Sequence, residues 1–596
     1  MISKSIAVLP FVNMSNDADN EYFSDGVSEE IINALTSIDG LNVTARTSSF
    51  AFKNVNQDIR KIGEKLGVST VLEGSVRKSN NQLRIGAQLS RTSDGFNIWA
   101  QNFDRELVDV FDIQDEISLL IADQIRENFG HFEIDDRLIN LSNISPSMYE
   151  TYLKGKYLLN TFVKEEIEKG IELLKEVVAE SPNFAHGYST IHYGYNMLVA
   201  AGFSEASILI DAQYYLDRAL DLDAYLPECY HSLGWNALNK DWDFIQAEKH
   251  LKHAIALRPG YADAHQKLFI TLALSGRIEE SFRHIQQALT LDPLSALNKY
   301  FLGYYHYLKC DFDSALPHFE DSIELSPSFI YPHLLKTLSL IAKKENDWEK
   351  HLNHLEQTEL KPIDKKLIQM LIQSSMSSLN TKSQDFKDLL GELDGDEKGR
   401  FRLFLIHVYT INGDFDQALD LMIKAVELKE PLMTLLREDP LLKPLHQKDE
   451  FIKGLDKIYK LVPETSVLKK SSEDSKIQKY SSAEIANLKS QMERLLVEEQ
   501  LYLDATLTLR ALATRMDIHP NNLSWLINEE TGTNFNECIN SYRLANFQEK
   551  ALLPENKHLT LLGLAYDSGF NSKTVFNTYF KKKMGCSPSQ WLADQS

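Results

Sequence analysis

The sequence predicts a multidomain protein with a mixed α/β domain at the amino terminus, an all-α solenoid in the middle and an all-α domain of paired helical hairpins at the carboxyl terminus. Three observations support this: strand-like runs alternate with helical patterns over residues 1–132, a spacing of 34 residues recurs in the middle, and two similar segments occupy the last hundred residues. A chain of 596 residues is too long for one hydrophobic core, so several domains are expected.

The first part of the chain combines short β-rich runs with helical periodicity. Helical patterns lie around Glu29–Ile38 and Ile59–Leu66, and Asp25 and Ser28 are candidate N-caps of the first helix. The strand-like runs are SIAVLPF, LNVTAR, STVLEGSVRK, QLRIGAQLS and FNIWAQNFD. This mixture predicts a sheet covered by helices.

Four of these segments carry a resemblance to a known domain. SIAVLPF, EYFSDGVSEEIINAL, VLEGSVRK and WAQNFDRE together resemble the TolB-like amino-terminal domain that precedes repeats in some bacterial regulators and cyclases. The resemblance covers residues 1–132 and implies an α/β (α+β) fold in a bacterial protein. It implies no particular activity.

The middle of the chain is periodic, and Pro259, Pro293 and Pro327 show its step of 34 residues. Three further series of small or large residues keep the same step: Ala247, Ser281 and Ala315; Ala254, Ala288 and Ser322; and Leu251, Ile285 and Phe319. A small residue lets one helix approach the next, and a large one fills the groove between them. The period therefore predicts stacked helical hairpins.

These positions resemble the packing positions of tetratricopeptide (TPR) repeats, which we assign to residues 145–460. Earlier copies start near Tyr149, and a later copy is visible around Gly413, Ala418 and Ala425. The resemblance implies an all-α solenoid that binds a protein partner or a small-molecule effector.

Two groups of residues in the repeats have competing interpretations. The ring-bearing residues Tyr300, Phe301, Tyr304, Tyr305 and Tyr307 could line a ligand groove, but helix packing is the preferred explanation. His250 and His253 have helical spacing, but no third ligand recurs at a useful distance along the chain. We therefore predict no metal site and no cofactor.

A polar, aperiodic stretch at 461–483 is typical of a flexible linker, and an amphipathic helix from Ile485 to Leu501 follows it. The remaining residues, 484–596, form the last predicted domain. Its two similar segments are LRALATRMDIHPNNLSWLINEETG and LLGLAYDSGFNSKTVFNTYFKKKMG.

Each segment places an alanine five residues before an apolar anchor: Ala513 before Ile518, and Ala565 before Phe570. The alanine fits where two helices cross, and Gly569 allows a tight turn before the second anchor. The pattern predicts two hairpins of helices.

The segment GFNSKTVFNTYFKKKMGCSPSQW resembles the signature of AraC-type DNA-binding domains, and the resemblance extends from about Tyr502 to Trp591. FNECINSYRLANFQEKALL resembles the helix that joins the two half-domains of that family. The resemblance implies a double helix-turn-helix domain whose recognition helices enter successive major-groove segments of double-stranded DNA, about 34 Å apart.

The resemblance also implies which side chains face the bases. Asparagine pairs with adenine, lysine reaches guanine acceptors and threonine contacts the thymine methyl group. Trp525 departs from the long polar or basic residue usual in the family, so we expect it to pack on a sugar or a methyl group. The candidates are Asn521, Ser524 and Trp525 in the first recognition helix, and Lys573, Thr574, Asn577 and Thr578 in the second. Each one is also compatible with a solvated polar position.

Charge is distributed unevenly along the chain. The formal net charge is -22, yet nine basic and nine acidic residues balance from residue 500 onward. A neutral domain can approach phosphate while an acidic body discourages unspecific adhesion. Arg543, Lys581, Lys582 and Lys583 are the candidate phosphate contacts, which orient a protein on DNA without specifying sequence, and ordinary surface charge is the alternative.

Other classes of protein lack support in the sequence. No nucleotide-binding loop, nucleophile elbow or metalloprotease helix is present, so we expect no enzyme activity. No secretory signal peptide or membrane-spanning run occurs, and the four cysteines form no CxxC pair, so we expect a cytoplasmic protein.

Two functional hypotheses remain. The first is a transcription regulator that binds promoter DNA through its carboxyl-terminal domain, while the amino-terminal and TPR regions sense a signal or partner. The second is a TPR scaffold for protein interactions with an auxiliary DNA-binding domain. The oligomeric state stays open, a homodimer included.

Overall fold

The structure is a computed structural model that describes residues 4–15, 20–79, 82–106, 110–134, 144–161, 163–200, 208–344, 348–376, 379, 381, 386–387, 398–460 and 482–595. Within these ranges one sheet lies near the amino terminus and helices form most of the rest. Among the described helices, none has both the length and the apolar character that a membrane span requires. The predicted linker falls mostly on residues 461–481, outside the described part.

The sheet has six strands in the order β3-β1-β4-β5-β6, with β2 paired to β4. β1 is parallel to β3 and β4, whereas β4, β5 and β6 form an antiparallel meander. The predicted strands are present, although the run LNVTAR contributes only two residues to β3. The bounds are Ser5–Val8 (β1), Val12–Asn13 (β2), Asn42–Val43 (β3), Thr70–Ser79 (β4), Gln82–Arg91 (β5) and Asn97–Glu106 (β6).

Four helices accompany the sheet: α1 (Glu21–Thr36), α2 (Arg46–Phe50), α3 (Ile59–Leu66) and α4 (Val110–Phe129). Apolar side chains of α1 and α4 bury one face of the sheet in a common core. The predicted helix at 59–66 is confirmed; Asp58 accepts a hydrogen bond from the Arg60 N–H at its start, and Gly67 ends it with a φ of 66°.

The prediction for the start of α1 is wrong. The helix begins eight residues before Glu29, and Asp25 and Ser28 lie buried inside it rather than at its cap. Lys53 Nζ donates to Asp25 Oδ2 at 2.6 Å, and the Phe11 N–H donates to Ser28 Oγ at 2.8 Å. These polar residues fasten α1 to neighbouring segments, which satisfies them without a capping role.

Helical hairpins fill the middle of the chain, as the 34-residue period predicts. Consecutive helices pack against each other through most of this region. The helices are Pro146–Leu159 (α5), Lys164–Glu180 (α6), Ala185–Ala200 (α7), Ile208–Leu222 (α8), Pro227–Asn236 (α9), Phe244–Leu257 (α10), Ala262–Leu274 (α11), Ile278–Leu291 (α12), Ala296–Leu308 (α13), Phe312–Leu325 (α14), Ile330–Ala342 (α15), Trp348–Glu356 (α16), Pro362–Ser375 (α17), Lys398–Asn412 (α18), Phe415–Glu427 (α19) and Asp449–Ile458 (α20).

The periodic positions have the packing role that their size predicts. All nine residues of the three 34-residue series are fully buried. At Gly303 a Cβ atom would lie only 2.6 Å from the Phe319 ring, so helix α13 approaches α14 too closely for any side chain. The aromatic residues Tyr300 to Tyr307 are buried as well, which confirms core packing over a ligand groove. His250 and His253 lie beside the ring of Tyr230.

A buried polar network closes the carboxyl-terminal end of the repeats. His407 Nε2 lies 2.9 Å from Asp439 Oδ2, and its Nδ1 lies 2.9 Å from the Leu403 carbonyl oxygen. Carbonyl and carboxylate oxygens both accept, so this geometry fits an imidazole that is protonated at both ring nitrogens. Tyr307 adds a hydrogen bond of 3.0 Å to Asp439 Oδ1. Burial lowers the pKa of His407, but the Asp439 carboxylate outweighs it and leaves that pKa above its usual value.

The amino-terminal domain is attached to several separate parts of the repeats, among them α5 and the loop after α12. Lys156 on α5 forms ion pairs with Glu29 and Glu30 on α1, at 3.0 and 2.7 Å. Further along the solenoid, the Ser48 N–H donates to Asp292 Oδ1 at 3.1 Å. Burial raises the pKa of Asp292 to about 6. Because these contacts involve separate repeats, the amino-terminal domain packs along the solenoid and is not attached to α5 alone.

Candidate nucleic-acid interface

The carboxyl-terminal part begins with α21 (Ser482–Glu493), which continues into a short π-helical turn, Arg494–Glu498. Together they cover most of the amphipathic helix predicted from Ile485 to Leu501. Two similar units follow, each a helix of seven residues, a turn and a helix of twelve. The first unit contains α22 (Leu509–Arg515) and α23 (Pro520–Thr531), and the second contains α25 (Leu561–Asp567) and α26 (Lys573–Met584). A short last helix, α27, spans Pro588–Gln595.

Local sequence explains why the two units have the same form. Side chains of Thr508 and Thr560 accept hydrogen bonds at the starts of α22 and α25. Ala513 and Ala565 are fully buried where the helices cross. Each unit has its own hydrophobic core. The helix α24 (Phe535–Leu552) joins them; its 18 residues span about 27 Å at 1.5 Å per residue.

Arg543 fastens the joining helix α24 to the segment that precedes the first unit. The guanidinium donates from Nε to the Tyr502 carbonyl and from Nη2 to the Asp504 carbonyl, both at 2.7 Å. Burial lowers the pKa of Arg543 to about 10. The prediction of Arg543 as a phosphate contact is therefore corrected: its side chain is 7% exposed and its donors are engaged by backbone carbonyls.

The second recognition helix, α26, presents a polar face to solvent. Phe576, Tyr579 and Phe580 are buried in the core of the second unit. The four predicted base-contact residues, Lys573, Thr574, Asn577 and Thr578, are all exposed. This face matches the predicted orientation, and it can offer hydrogen-bond donors and acceptors to base edges.

Three lysines end α26, but their environments differ. Lys582 forms an ion pair with Glu537 on α24. The Nζ atom of Lys583 lies 5.6 Å from the centre of the Tyr579 ring, and Lys581 is exposed. Their charge also complements the partial negative charge of the helix carboxyl terminus. Lys581 and Lys583 are thus better placed for a phosphate than Lys582.

The first recognition helix, α23, is less accessible than predicted. Leu523, Leu526 and Ile527 fill the core of the first unit, as expected. Ser524 between them is only 7% exposed, so its predicted exposure is wrong. Trp525 is half-buried against the same core. The buried stripe on this helix is wide, and it includes positions that the second unit leaves open.

Asn521, the remaining base-contact candidate on α23, is bonded to the amino-terminal domain. Its Oδ1 accepts from the Ile134 N–H at 3.1 Å and its Nδ2 donates to the Ile134 carbonyl at 3.0 Å. Arg126 on α4 also donates to Oδ1. Phe132 and Ile134 are anchored in the core beneath the sheet, which holds this segment in place.

Charged groups of α4 extend this contact to α22. Asp123 Oδ2 accepts from Arg510 Nε at 2.9 Å. Glu127 Oε1 accepts from the Leu509 N–H at 2.7 Å, at the start of the helix where N–H groups lack partners within the helix. Burial raises the pKa of Glu127 to about 7. We name this set of bonds, between Asp123, Arg126, Glu127 and Ile134 and the first unit's Leu509, Arg510 and Asn521, the α4 contact.

Sequence reasoning did not identify the α4 contact. Its residues are ordinary polar residues separated by almost 400 positions along the chain, and no periodicity links them. Asp123 and Arg126 lie on the side of α4 away from Ile117, Ile121 and Ile125, yet both are buried. A buried Arg requires a partner, which need not be near in sequence.

Two family profiles match the chain. Residues 512–594 match a family described as a helix-turn-helix domain, and residues 2–120 match the second domain of HilA/YgeH-like transcriptional regulators. The carboxyl-terminal part is thus a helix-turn-helix domain. The amino-terminal part is similar to a domain of transcription regulators.

Curated relatives match over part of their length. The chain is 34% identical over 244 residues to the putative adenylate cyclase 3 of Rhizobium meliloti, covering 40% of each protein. It is 25% identical over 313 residues to the transcriptional regulator HilA of Salmonella typhimurium, covering 51% of this chain and 54% of HilA. The chain therefore spans about half or less of these relatives.

Solved structures resemble the chain weakly. YrrB, a TPR protein with an unusual peptide-binding site, gives a TM-score of 0.24 at 18% sequence identity. The match covers 33% of this chain and 92% of the YrrB chain. Yeast Tom70 gives a TM-score of 0.26 at 12% sequence identity, and the match covers 74% of this chain and 85% of the Tom70 chain.

Proposed function

We propose that the chain is a sequence-specific DNA-binding transcription regulator of AraC type. The observation that carries the proposal is the pair of equal helix-turn-helix units joined by one continuous helix, with the polar face of α26 exposed. Such units bind double-stranded DNA by placing their second helices in the major groove. The matches to a helix-turn-helix family and to a regulator domain support this function.

The other parts receive supporting roles in the proposal. The amino-terminal domain, for which a TolB-like identity stays a prediction, and the TPR region would sense a signal or partner in the cytoplasm. Binding of such a partner changes DNA occupancy only as far as it distinguishes the DNA-competent arrangement from the incompetent one. We propose binding rather than catalysis, with no cofactor. Homodimer formation stays a prediction.

The residue assignment is tested by the double substitution Lys573→Ala/Asn577→Ala in the full chain. Because each well-placed base contact contributes about 1–3 kcal/mol of discrimination, we expect preference for a selected duplex over a scrambled one to fall at least tenfold. Fluorescence anisotropy with both duplexes measures the ratio.

The matched control for this pair is Lys557→Ala, which removes one positive charge from the loop before α25. It should weaken binding to both duplexes alike and leave their ratio unchanged. Unchanged discrimination in the double variant would reject Lys573 and Asn577 as base contacts.

A second prediction concerns the lysines at the end of α26. Replacing Lys581 and Lys583 by alanine should weaken binding to every sequence similarly, because phosphate contacts carry no base information. The slope of log K against log salt concentration should flatten by about 0.9 for each lost contact. Lys582→Ala, which removes the partner of Glu537, is the comparison and should change the slope less. Equal slopes in all variants would make these lysines surface charge only.

The alternative function is a TPR scaffold with an auxiliary DNA-binding domain. The observation in its favour is the extent of the solenoid, which runs from Pro146 to Ile458. A scaffold would associate with DNA without enriching any sequence, so recovery of bound genomic fragments separates the two functions.

A further inference from the structure

The α4 contact engages the side chain that the proposed function requires for base recognition in the first unit. Asn521 is the second residue of α23, and the amino-terminal residues of a recognition helix are those that contact base edges. In the structure its side-chain oxygen and nitrogen are both bonded to the backbone of one residue, through the N–H and the carbonyl of Ile134.

This bonding pattern imitates a base. Asparagine recognises adenine by accepting a hydrogen bond at its oxygen and donating one from its nitrogen. Ile134 supplies the same donor and acceptor from the protein backbone. Asn521 therefore cannot bond to Ile134 and to adenine at the same time, and the two partners compete for one surface.

Further ion pairs and hydrogen bonds stabilise the α4 contact. Asp123 is buried and engages both Arg126, at 2.6 Å, and Arg510, at 2.9 Å. Asn534 at the start of α24 adds a hydrogen bond of 2.8 Å to the Asn128 carbonyl. The bonds reach α22, α23 and α24, so the whole first unit is fixed to the amino-terminal domain.

The second unit differs. Its base-contact candidates on α26 are exposed, while those of α23 are bonded or buried. The two units have helices of equal length and a threonine cap at each first helix, so their different exposure comes from the contact with the amino-terminal domain and from the wider buried stripe of α23.

We propose that the α4 contact is an autoinhibitory clasp, in which the amino-terminal domain withholds the first recognition helix from DNA. This inference rests on the proposed function. In the clasped form only α26 engages DNA and one half-site is bound. Opening of the clasp frees Asn521 and lets α23 enter the adjacent major-groove segment. The apparent affinity is then reduced by the fraction of molecules that are open.

The test uses the full chain with Arg126→Ala/Glu127→Ala, called the open variant, which removes the bonds of Arg126 to Asn521 and of Glu127 to Leu509 and so weakens the contact from the amino-terminal side. At a pH above the raised pKa of Glu127, which is about 7, the pair removes one positive and one negative charge, so the net charge stays constant. The matched control is Arg105→Ala/Glu116→Ala, which removes an exposed ion pair between β6 and α4. The probe is a duplex selected by the wild-type chain from a random pool, extended by random flanks and selected again with the open variant.

We expect the open variant to bind the extended duplex about tenfold more tightly than the wild type and the control. At a concentration that saturates the open variant but not the wild type, the hydroxyl-radical footprint of the open variant should be longer by about one helical turn, or about 10 base pairs. A wild-type chain that binds selectively, with the same affinity for the extended duplex and the same footprint as the open variant, would overturn the clasp alone. A wild-type chain and open variant without preference for any duplex would overturn the proposed function, and the clasp with it.

Hydrogen exchange on the wild type tests the clasp without any substitution, so its result does not depend on whether a variant folds. Hydrogen exchange reports the Ile134 and Leu509 amide hydrogens, which donate across the contact. Saturation with the extended duplex should accelerate exchange at both amides, because DNA and the amino-terminal domain compete for Asn521. Undiminished protection in the complex would contradict the clasp.

Discussion

Replacing Gly569 by alanine is expected to unfold the second helix-turn-helix unit or to loosen it severely. Gly569 has a φ of 92°, in the left-handed region that disfavours side chains. A Cβ atom there would lie 2.4 Å from the Tyr502 carbonyl oxygen and 2.9 Å from Leu503 Cα, and backbone atoms cannot move aside cheaply. Strain and overpacking together should cost about 3 kcal/mol or more.

Gly585 provides the control for this substitution. It also has a positive φ, 75°, but no atom lies within 4 Å of the position that its Cβ would take. Gly585→Ala should therefore cost only about 1 kcal/mol from the backbone alone. Hydrogen-exchange protection of the α26 amides compares the two variants, and equal losses would contradict the close approach at Gly569.

Replacing Asp439 by alanine is expected to destabilise the carboxyl-terminal end of the repeats by about 3–5 kcal/mol, since it leaves the charged His407 buried without its partner. The hydroxyl of Tyr307 loses its acceptor as well. Tyr307→Phe is the control; it removes one hydrogen bond and should cost about 1 kcal/mol. Hydrogen exchange in α18 and α19 measures both, and equal effects would show that the network carries no buried charge.

The same network predicts a pH dependence. The pKa of His407 is raised in the folded protein, so its protonated form contributes stability below the ordinary histidine pKa. This contribution is lost as the pH rises through the raised value. Asp439→Ala should abolish this part of the pH dependence.

The repeats could be predicted from sequence because their physical cause is local and repeated. Alanine or serine at Ala247, Ser281 and Ala315 marks the place where helices approach, and the step of 34 residues shows that it recurs. The same reasoning placed Ala513 and Ala565 at the helix crossings of the last domain. Position and role follow from side-chain size in these cases.

Electrostatic roles were harder to predict, because they depend on contacts between distant segments. Arg543 has the charge of a phosphate contact, but the Tyr502 and Asp504 carbonyls engage it. Asn521 has the chemistry of a base contact, but Ile134 bonds both of its polar atoms. A sequence names the donors and acceptors, while the fold decides which partners they meet.

We propose that this chain recognises DNA sequence through α26. Selection by the full chain from a random pool of duplexes, followed by sequencing, tests this in parallel with the Lys573→Ala/Asn577→Ala variant. We expect an enriched motif for the wild type that the variant fails to enrich. Enrichment of no motif by the wild type, or of the same motif by both proteins, would contradict it.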